Sequence, residues 1–277
     1  MSDLSLPLAP GAVSVPAVVP EIPAAPGACA SCGTPLGGEY CSACGQRVHR
    51  ERFTLRSVFM RLVTDAFDLN RGLLFTALAL FRRPGEAVRE YVGGATVRYT
   101  NPVKYLVICV ALAVFASVQA GITHDIASGM AEGAGAAAQV RAQQVSDLLA
   151  QYMNLFMVLA VPFMTLASRL VYRRAGFNFA EHLIFNLYVY AQQSLLYLPF
   201  VPFSLGPGKG SGALLAYTLL NGAYYVWAAT GFFRDCTARG VLRAAGAALV
   251  GTVAYLVVFV LIMTGLMVWM DLVMKPS

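Results

Sequence analysis

The sequence predicts an all-α integral membrane bundle of about five transmembrane helices, preceded by interfacial amphipathic helices and a small N-terminal zinc-ribbon knuckle. Composition predicts the membrane class, because 58% of the 277 residues are hydrophobic and only 12% are charged. A soluble domain carries about 25% charged residues. The few charges are also unevenly distributed, and they leave uncharged runs as long as a helix that crosses a bilayer. A mean hydropathy of +0.63 agrees with this class.

Composition divides the chain into four segments. Residues 1–28 hold six prolines, a density that prevents a helix, so we expect a disordered Pro/Ala-rich tail. This tail lacks the basic start and the unbroken apolar run of a signal peptide. Behind it we expect the zinc ribbon over residues 29–50, the interfacial helices over 51–100 and the five-span domain over 101–277.

Four cysteines follow the tail in the pattern Cys-x2-Cys-x8-Cys-x2-Cys. Each pair is expected to form a tight turn that directs two sulfurs at one point, and the glycine after each second cysteine suits such a turn. Four thiolates satisfy tetrahedral Zn²⁺ and leave no position for water, so the predicted zinc is structural. Iron on the same sulfurs is the alternative, whereas disulfides rarely persist in a reducing cytoplasm. The predicted metal ligands are Cys29, Cys32, Cys41 and Cys44.

The segment after the cysteines predicts two elements at the membrane surface. Apolar residues recur at helical spacing over residues 55–67, and Thr54 is a suitable N-cap for this helix. The opposite face is charged and includes Asp65 and Asp68, which suits an amphipathic helix in the interface. The next apolar stretch, residues 73–81, is too short to span a bilayer, so we expect it to be interfacial or re-entrant.

Five uncharged runs are each close to or above the roughly 20 residues needed to cross a hydrocarbon core. Two prolines near the end of the third run predict that its last turns are bent or frayed. The five predicted spans cover residues 105–122, 148–168, 183–205, 213–233 and 244–270.

The basic residues orient the bundle, because Lys and Arg favour the cytoplasmic side of a membrane. They are frequent before the first span, between the second and third spans, and between the fourth and fifth, and they are scarce elsewhere. This pattern predicts a multi-pass protein of the bacterial cytoplasmic (inner) membrane with its N-terminus in the cytoplasm and its C-terminus outside. The basic residues behind the net charge of +6 are therefore expected to set the topology and to contact membrane lipids. A nucleic-acid partner is disfavoured.

The third predicted span begins with the most polar stretch of the membrane domain. An ionisable group inside a membrane is a candidate functional site, whereas interhelical hydrogen bonds from Asn and Gln are the structural alternative. The position of the first two polar residues at the cytoplasmic mouth favours the structural alternative. The candidate polar or ligand site consists of Glu181, His182, Asn186, Gln192 and Gln193.

Basic residues ahead of the first span are candidates for contact with lipid head groups. Arg89, Arg98 and Lys104 are expected at the depth of the head groups, together with neighbouring tyrosines. The alternative is the ordinary aromatic and basic belt found at membrane surfaces.

Three blocks of the sequence resemble a known family. They are "CASCGTPLGGEYCSACGQ", "RRPGEAVREYVGGATVRYTNPVKYL" and "FNFAEHLIFNLYVY", and they look like an uncharacterised bacterial membrane family, a domain of unknown function with a zinc-ribbon-like head. The resemblance covers roughly residues 29–190 and implies this architecture without an activity. The five-span plan with a cytoplasmic N-terminus is also similar to Yip1-type membrane proteins, at the level of fold alone.

The predicted function is that of a non-enzymatic membrane protein whose zinc ribbon recruits or scaffolds a protein partner. A small transporter or lipid-handling protein that uses the polar residues of the third span is the alternative. A lipid-modifying enzyme is the third possibility, and it would bring Asp65 and Asp68 close to Glu181 and His182. No catalytic residue is assigned, because the zincin, nucleophile-elbow and phosphate-loop motifs do not occur.

Overall fold

The regular structure of this protein is helical. A computed structural model describes residues 27–47, 52–58, 72–120, 158–204 and 210–273, and within these ranges no strand is formed. The all-α prediction is therefore confirmed for the described residues. Their helices are α1 (Gly72–Arg82), α2 (Pro84–Val92), α3 (Pro102–Gln119), α4 (Val158–Val171), α5 (Phe179–Tyr197), α6 (Gly210–Phe233) and α7 (Ala238–Val273), with a 3-10 helix at Leu198–Ser204.

Helix α5 lies at the centre of the bundle and packs against α1, α2, α3 and α6. Large aromatic side chains fill the space between these helices. The Tyr188 ring of α5 lies 5.3 Å from the ring of Tyr91 and 6.0 Å from that of Tyr105. One turn earlier in α5, the Phe185 ring stacks on Phe232 at 4.8 Å. Aromatic pairs of this kind add to the free energy of burying apolar area.

Capping residues fix where the central helices begin. Asn101 accepts a hydrogen bond from the Val103 N–H at 3.0 Å, so α3 starts at Pro102. Asn178 and Glu181 form a reciprocal capping box at the start of α5. As a result, α5 begins four residues before the predicted span at 183, because the capping residues are polar and lie outside the uncharged run.

The last turns of the third predicted span are not α-helical. Helix α5 ends at Tyr197, and the chain continues as a 3-10 helix through Pro202, because proline cannot donate the backbone hydrogen bond of an α-helix. At α7 the helix begins at Ala238 rather than at 244. Thr237 Oγ1 accepts the Gly240 N–H at 3.1 Å and caps the first turn, which contains the basic Arg239 and lies before the predicted span.

Helices α3 and α5 run in the same direction. The Tyr188 hydroxyl donates to the Thr100 carbonyl at the start of α3, and Ser117 near the end of α3 lies 3.4 Å from the Tyr197 hydroxyl. Helix α6 runs against α5, and α7 runs against α4. The contacts that fix these two directions are Gln193 with Asn221, Phe177 with Phe232, Tyr172 with Gly240 and Met164 with Gly251.

Two of the described helices, α3 and α7, are long and apolar enough to cross a membrane. In α7 only 11% of the most apolar stretch is buried inside the protein, whereas the core helix of a soluble protein is mostly buried. Leucines such as Leu242, Leu249 and Leu261 point outward along α7 with more than 60% of their surface exposed. Such an apolar exterior suggests a membrane protein.

Parts of the predicted architecture lie outside the described residues. These parts are the tail up to residue 26, most of the amphipathic helix with Asp65 and Asp68, and the first half of the second predicted span. The start of the amphipathic helix is described. There the Thr54 hydroxyl accepts the Ser57 N–H at 3.2 Å, which confirms Thr54 as its N-cap.

Helices α2 and α6 cross with their backbones in direct contact. A Cβ atom added to Gly85 would lie 2.3 Å from the Phe232 nitrogen and 2.5 Å from the Ala228 carbonyl oxygen. Gly231 faces Gly85 across the same crossing. Only glycine permits this approach, which explains the glycine that follows Pro84 at the start of α2.

Candidate metal centre and its attachment to the helices

The cysteine knuckle, defined here as residues 27–47, consists of two turns with the same hydrogen bonds. In the first turn the Cys29 N–H donates to the Thr34 carbonyl and the Gly33 N–H donates to the Cys29 carbonyl, both at 2.8 Å. In the second turn the Gly45 N–H donates to the Cys41 carbonyl at 2.9 Å. Gly33 and Gly45 have φ values of +79° and +72°, a conformation that disfavours every residue with a Cβ atom.

The two turns bring all four cysteine sulfurs together. Cys29 Sγ lies 3.6 Å from Cys44 Sγ, Cys32 Sγ lies 3.5 Å from Cys41 Sγ, and all four sulfurs lie within 4.8 Å of one another. A tetrahedral Zn²⁺ with Zn–S bonds of about 2.3 Å would place its sulfurs about 3.8 Å apart. The cysteines are free thiols with spacings far above a disulfide bond of about 2.05 Å. The sulfur geometry therefore fits a single metal ion.

Two of the four thiols differ in how readily they lose a proton. Hydrogen bonds from Thr34 lower the pKa of Cys32 to about 6, so this sulfur is a thiolate at neutral pH. Burial raises the pKa of Cys44 to about 12. A metal cation offsets that burial, because its charge stabilises every coordinated thiolate. The cluster thus has one sulfur that is ready to bind a cation and one that must release its proton on binding.

Gln46 attaches the cysteine knuckle to the connection between α2 and α3. Its side chain is buried, and its Oε1 atom accepts hydrogen bonds from the Ser31 hydroxyl at 2.8 Å and from the Val97 N–H at 2.9 Å. Its Nε2 atom donates to the Arg47 carbonyl at 2.8 Å and to Thr96 Oγ1 at 3.0 Å. One amide group therefore bonds to both the knuckle and the helical body.

A second connection follows directly along the chain. Arg52 holds Glu181 with two hydrogen bonds, from Nε to Oε1 at 2.9 Å and from Nη2 to Oε2 at 2.6 Å, and it also donates to the Gly176 carbonyl at 2.8 Å. Asn178 donates to the Phe53 carbonyl at 2.9 Å. The hydrogen bond to Glu181 raises the pKa of Arg52. The side chain of Glu181 is 3% exposed, so this carboxylate depends on Arg52 for its charge balance.

His182 and Asn186 bond to a different neighbour from Glu181. The Ser168 hydroxyl of α4 lies 3.1 Å from His182 Nδ1, and Asn186 Nδ2 donates to the same hydroxyl at 3.0 Å. Among the described residues, His182 Nε2 and Asn186 Oδ1 are buried without a hydrogen-bond partner. Glu181 and His182 are adjacent in sequence, yet their side chains point into separate environments.

The remaining polar residues of α5 also bond separately. The Tyr105 hydroxyl donates to Gln192 Oε1 at 2.5 Å, and Gln193 Nε2 donates to the Asn221 carbonyl at 3.1 Å. The side-chain bonds of the five candidate residues are therefore made to Arg52, Ser168, Tyr105 and α6 rather than to one shared point.

The three candidate head-group residues lie near the same end of the bundle. Arg89 Nη1 donates to the Phe232 carbonyl at 2.7 Å, and Arg98 lies 3.6 Å from the Glu90 carboxylate. Lys104 is half-buried in the first turn of α3. Arg89 and Arg98 thus already have partners within the protein.

Sequence reasoning missed several residues that matter for this arrangement. Gln46, Arg52 and Gly85 are fixed by partners 50 to 147 residues away in the chain, and no local pattern identifies those partners. The sequence shows that both turns end in Cys-Gly. Only the fold shows that Gln46, the residue after the second of these glycines, contacts Thr96.

Comparison with known proteins relates part of the chain to a family of unknown function. The model of a protein family of unknown function, DUF3667, matches residues 70–114, which cover α1, α2 and most of α3. This segment contains the Arg-Pro-Gly block and the connection to which Gln46 bonds. No curated protein and no solved structure matches the chain.

Proposed function

We propose that this chain is a non-enzymatic membrane protein that holds a structural zinc ion in its cysteine knuckle and presents the knuckle to a protein partner. One observation carries the proposal: the knuckle is fixed to the helices on one side through Gln46 and is open to solvent on the other. On the open side, Tyr40 has 58% of its surface exposed. An exposed tyrosine on a rigid support is typical of residues that anchor protein interfaces.

The choice of zinc rests on the chemistry of the ligand set. Four cysteine sulfurs at tetrahedral spacing close the coordination sphere, which suits a structural ion and leaves no open position for catalysis. A segment of this size buries too little apolar area to fold alone, so the metal would supply its folding free energy. Iron on the same sulfurs is the competing assignment.

The directions of the helices support five spans with a cytoplasmic knuckle. From α3 to α7 each helix runs opposite to the one before it, which is what successive crossings of a membrane require. The connections at the knuckle end carry a set of basic residues that favours the cytoplasm. That set is Arg169, Arg173, Arg174, Arg234, Arg239 and Arg243. We place the protein in the bacterial inner membrane with its C-terminus outside.

A second candidate function is a small transporter or lipid-handling protein. The unpartnered His182 Nε2 and Asn186 Oδ1 atoms inside the bundle favour it, because polar atoms in a membrane interior tend to line a path. To test it, Asn186→Cys would be treated with a membrane-impermeant thiol reagent. Labelling at 186 supports a water-filled path, and protection from the reagent contradicts it.

The third possibility, a lipid-modifying enzyme, would need Asp65 and Asp68 near Glu181 and His182. The two aspartates lie outside the described residues. Glu181 and His182 do not bond to a common neighbour, since Glu181 bonds to Arg52 and His182 bonds to Ser168. The non-enzymatic proposal therefore stands first.

The partner proposal is tested by photo-cross-linking in intact cells. A benzoylphenylalanine residue at position 40 should give a discrete protein adduct, and the adduct should disappear in the Cys29→Ser/Cys32→Ser variant, whose knuckle lacks two ligands. The same probe at Phe203, which is 70% exposed and lies after α5, serves as the control. The proposal is contradicted if position 40 yields no protein adduct, or one that survives loss of the cysteines.

A further inference from the structure

Two arginines from distant parts of the sequence contact Phe177 at the start of α5, and a third follows a carbonyl to which one of them bonds. The Arg89 guanidinium of α2 lies 5.7 Å from the centre of the Phe177 ring. Arg169 of α4 donates from Nη1 to the Phe177 carbonyl at 3.0 Å. Arg89 also donates to the Phe232 carbonyl, two residues before Arg234. We call these residues, Arg89, Arg169 and Arg234, the arginine cluster.

The arginine cluster has no acidic partner within the part of the chain that the structure describes. Among the described residues no ion pair joins any of its members to an acid. The nearby carboxylates are taken by other arginines. Glu181 pairs with Arg52, Glu90 pairs with Arg83 and Arg98, and Asp235 pairs with Arg243.

Like charges within the arginine cluster also repel. Burial lowers the pKa of Arg89, and the like charge of Arg234 lowers it further. The side chain of Arg89 is half-buried, so water screens this repulsion incompletely. An unpaired, partly buried pair of like charges destabilises the folded state.

The backbone conformation of Arg234 is also unfavourable for a residue with a side chain. Its φ angle is +52°, and it is the one non-glycine residue with a positive φ among those that the structure describes. The Asp235 N–H donates to the Thr230 carbonyl at 3.1 Å, a helix-ending bond of the kind that usually places glycine at the residue before it. Arginine at this position is therefore less favourable for the backbone than glycine.

We propose that the arginine cluster binds the phosphate group of an anionic ligand. Planar guanidinium groups bind phosphate oxygens with paired hydrogen bonds, and each arginine that bonds a backbone carbonyl retains further N–H groups for an anion. A bound phosphate removes the repulsion between Arg89 and Arg234. It also gives a reason for an arginine at a position that favours glycine. The head group of an anionic lipid and a free phosphate share this chemistry.

This inference does not depend on the metal or on a protein partner. The phosphate site lies on α2, α4 and the end of α6, and none of its members contacts a cysteine of the knuckle. It differs from the head-group site expected from the sequence, because it joins Arg89 to Arg169 and Arg234 rather than to Arg98 and Lys104.

The test uses the full chain in neutral dodecyl maltoside micelles, with the thermal unfolding midpoint as the readout. One arm titrates inorganic phosphate against chloride at equal ionic strength. The other arm compares micelles doped with phosphatidylglycerol and with phosphatidylcholine. We expect the midpoint to rise in at least one arm. A rise with inorganic phosphate identifies a free phosphate as a ligand, and a rise with phosphatidylglycerol alone identifies a lipid head group.

Arg234→Gly separates binding from folding, because glycine suits the φ angle of this position. Without anion its midpoint should equal or exceed that of the wild type, while its apparent affinity for the anion should fall about tenfold or more. Arg174→Gln removes the same charge from an exposed position outside the arginine cluster, and it should keep the wild-type response. The proposal is overturned if neither arm raises the midpoint, or if Arg234→Gly responds as the wild type does.

Discussion

Gln46 and Val97 are joined by a hydrogen bond of 2.9 Å from the Val97 N–H to the Gln46 side-chain oxygen. The bond links the last turn of the cysteine knuckle to the connection between α2 and α3, 51 residues further along the chain. Because the same oxygen also accepts from Ser31 inside the knuckle, the orientation of the metal site is fixed relative to the helices. A partner bound to the knuckle would therefore be held at a defined position relative to the bundle.

Replacement of Gln46 by alanine should detach the knuckle without emptying its metal site. The change removes four hydrogen bonds, each worth about 1 kcal/mol in net stability, but no metal ligand. Hydrogen exchange measured by mass spectrometry should become at least about tenfold faster in the segment around Thr96 and Val97, while the metal content stays at the wild-type value.

Gln46→Glu is the matched control, since it keeps the accepting oxygens and loses the donating amide. It should show an intermediate exchange rate. Unchanged exchange near Val97 in Gln46→Ala would mean that the knuckle is held by other contacts.

Replacement of Arg52 by glutamine should destabilise the protein by leaving the buried Glu181 carboxylate unpaired. Loss of one partner of a buried pair costs about 3–5 kcal/mol. The side chain of Arg52 is 47% exposed, and water then reaches the site, so we expect about 1–3 kcal/mol. Chemical unfolding in detergent measures the change.

The matched variants form a double-mutant cycle. Glu181→Gln keeps a residue that suits the capping box and removes the charge, so Arg52→Gln/Glu181→Gln should be more stable than Arg52→Gln alone. The exposed Arg56→Gln should have little effect. If the two single changes add without coupling, the ion pair makes no contribution of its own.

Replacement of Gly85 by alanine should disrupt the crossing of α2 and α6. The new Cβ atom would lie 2.3 Å from a backbone nitrogen, and neither backbone can move without displacing its helix. The expected loss is about 3 kcal/mol or more, read as a lower unfolding midpoint. Gly222→Ala is the control on the same helix pair, because its Cβ would meet nothing within 4 Å. A neutral Gly85→Ala variant would contradict the close crossing.

Metal affinity should fall as the pH falls. Cys44, with a pKa of about 12, must release a proton on binding throughout the neutral range, and below a pH of about 6 Cys32 must release one as well. The affinity should therefore drop at least about tenfold per pH unit above pH 6 and at least about a hundredfold per unit below it.

Competition with a zinc-binding dye, calibrated at each pH, measures this dependence. Thr34→Val removes the hydroxyl that lowers the pKa of Cys32, so it should move the steeper region to a higher pH. An affinity that stays constant between pH 5 and 8 would show that these sulfurs are not the ligands.

Local chemistry made part of this structure predictable. The spacing of the cysteines and the glycines after them encode two turns of a few residues each, and the sulfurs converge as expected. Thr54 caps its helix for the same reason, since its partner Ser57 is three residues away. The prolines after α5 lack the N–H that would continue the α-helix, and α5 ends there as this predicts.

The rest could not be read from the sequence because it depends on contacts across the bundle. Glu181 was a candidate site residue, but Arg52, 129 residues earlier, makes it one half of an ion pair. The arginine cluster also depends on such contacts, because Arg89 reaches the Phe232 carbonyl, two residues before Arg234, only through the crossing of α2 and α6. Among the described residues, two helices rather than five are long and apolar enough to cross a membrane. Polar residues make α5 less apolar than α3 and α7, and the described part of α4 is too short.

The most direct test of the account is the metal content of the purified full-length protein, measured by inductively coupled plasma mass spectrometry alongside the Cys29→Ser/Cys32→Ser variant. We expect one zinc ion per wild-type chain and none in the variant, with the helical body still folded. Wild-type protein that contains iron in place of zinc, or no metal at all, would contradict the structural zinc site from which the proposed function follows.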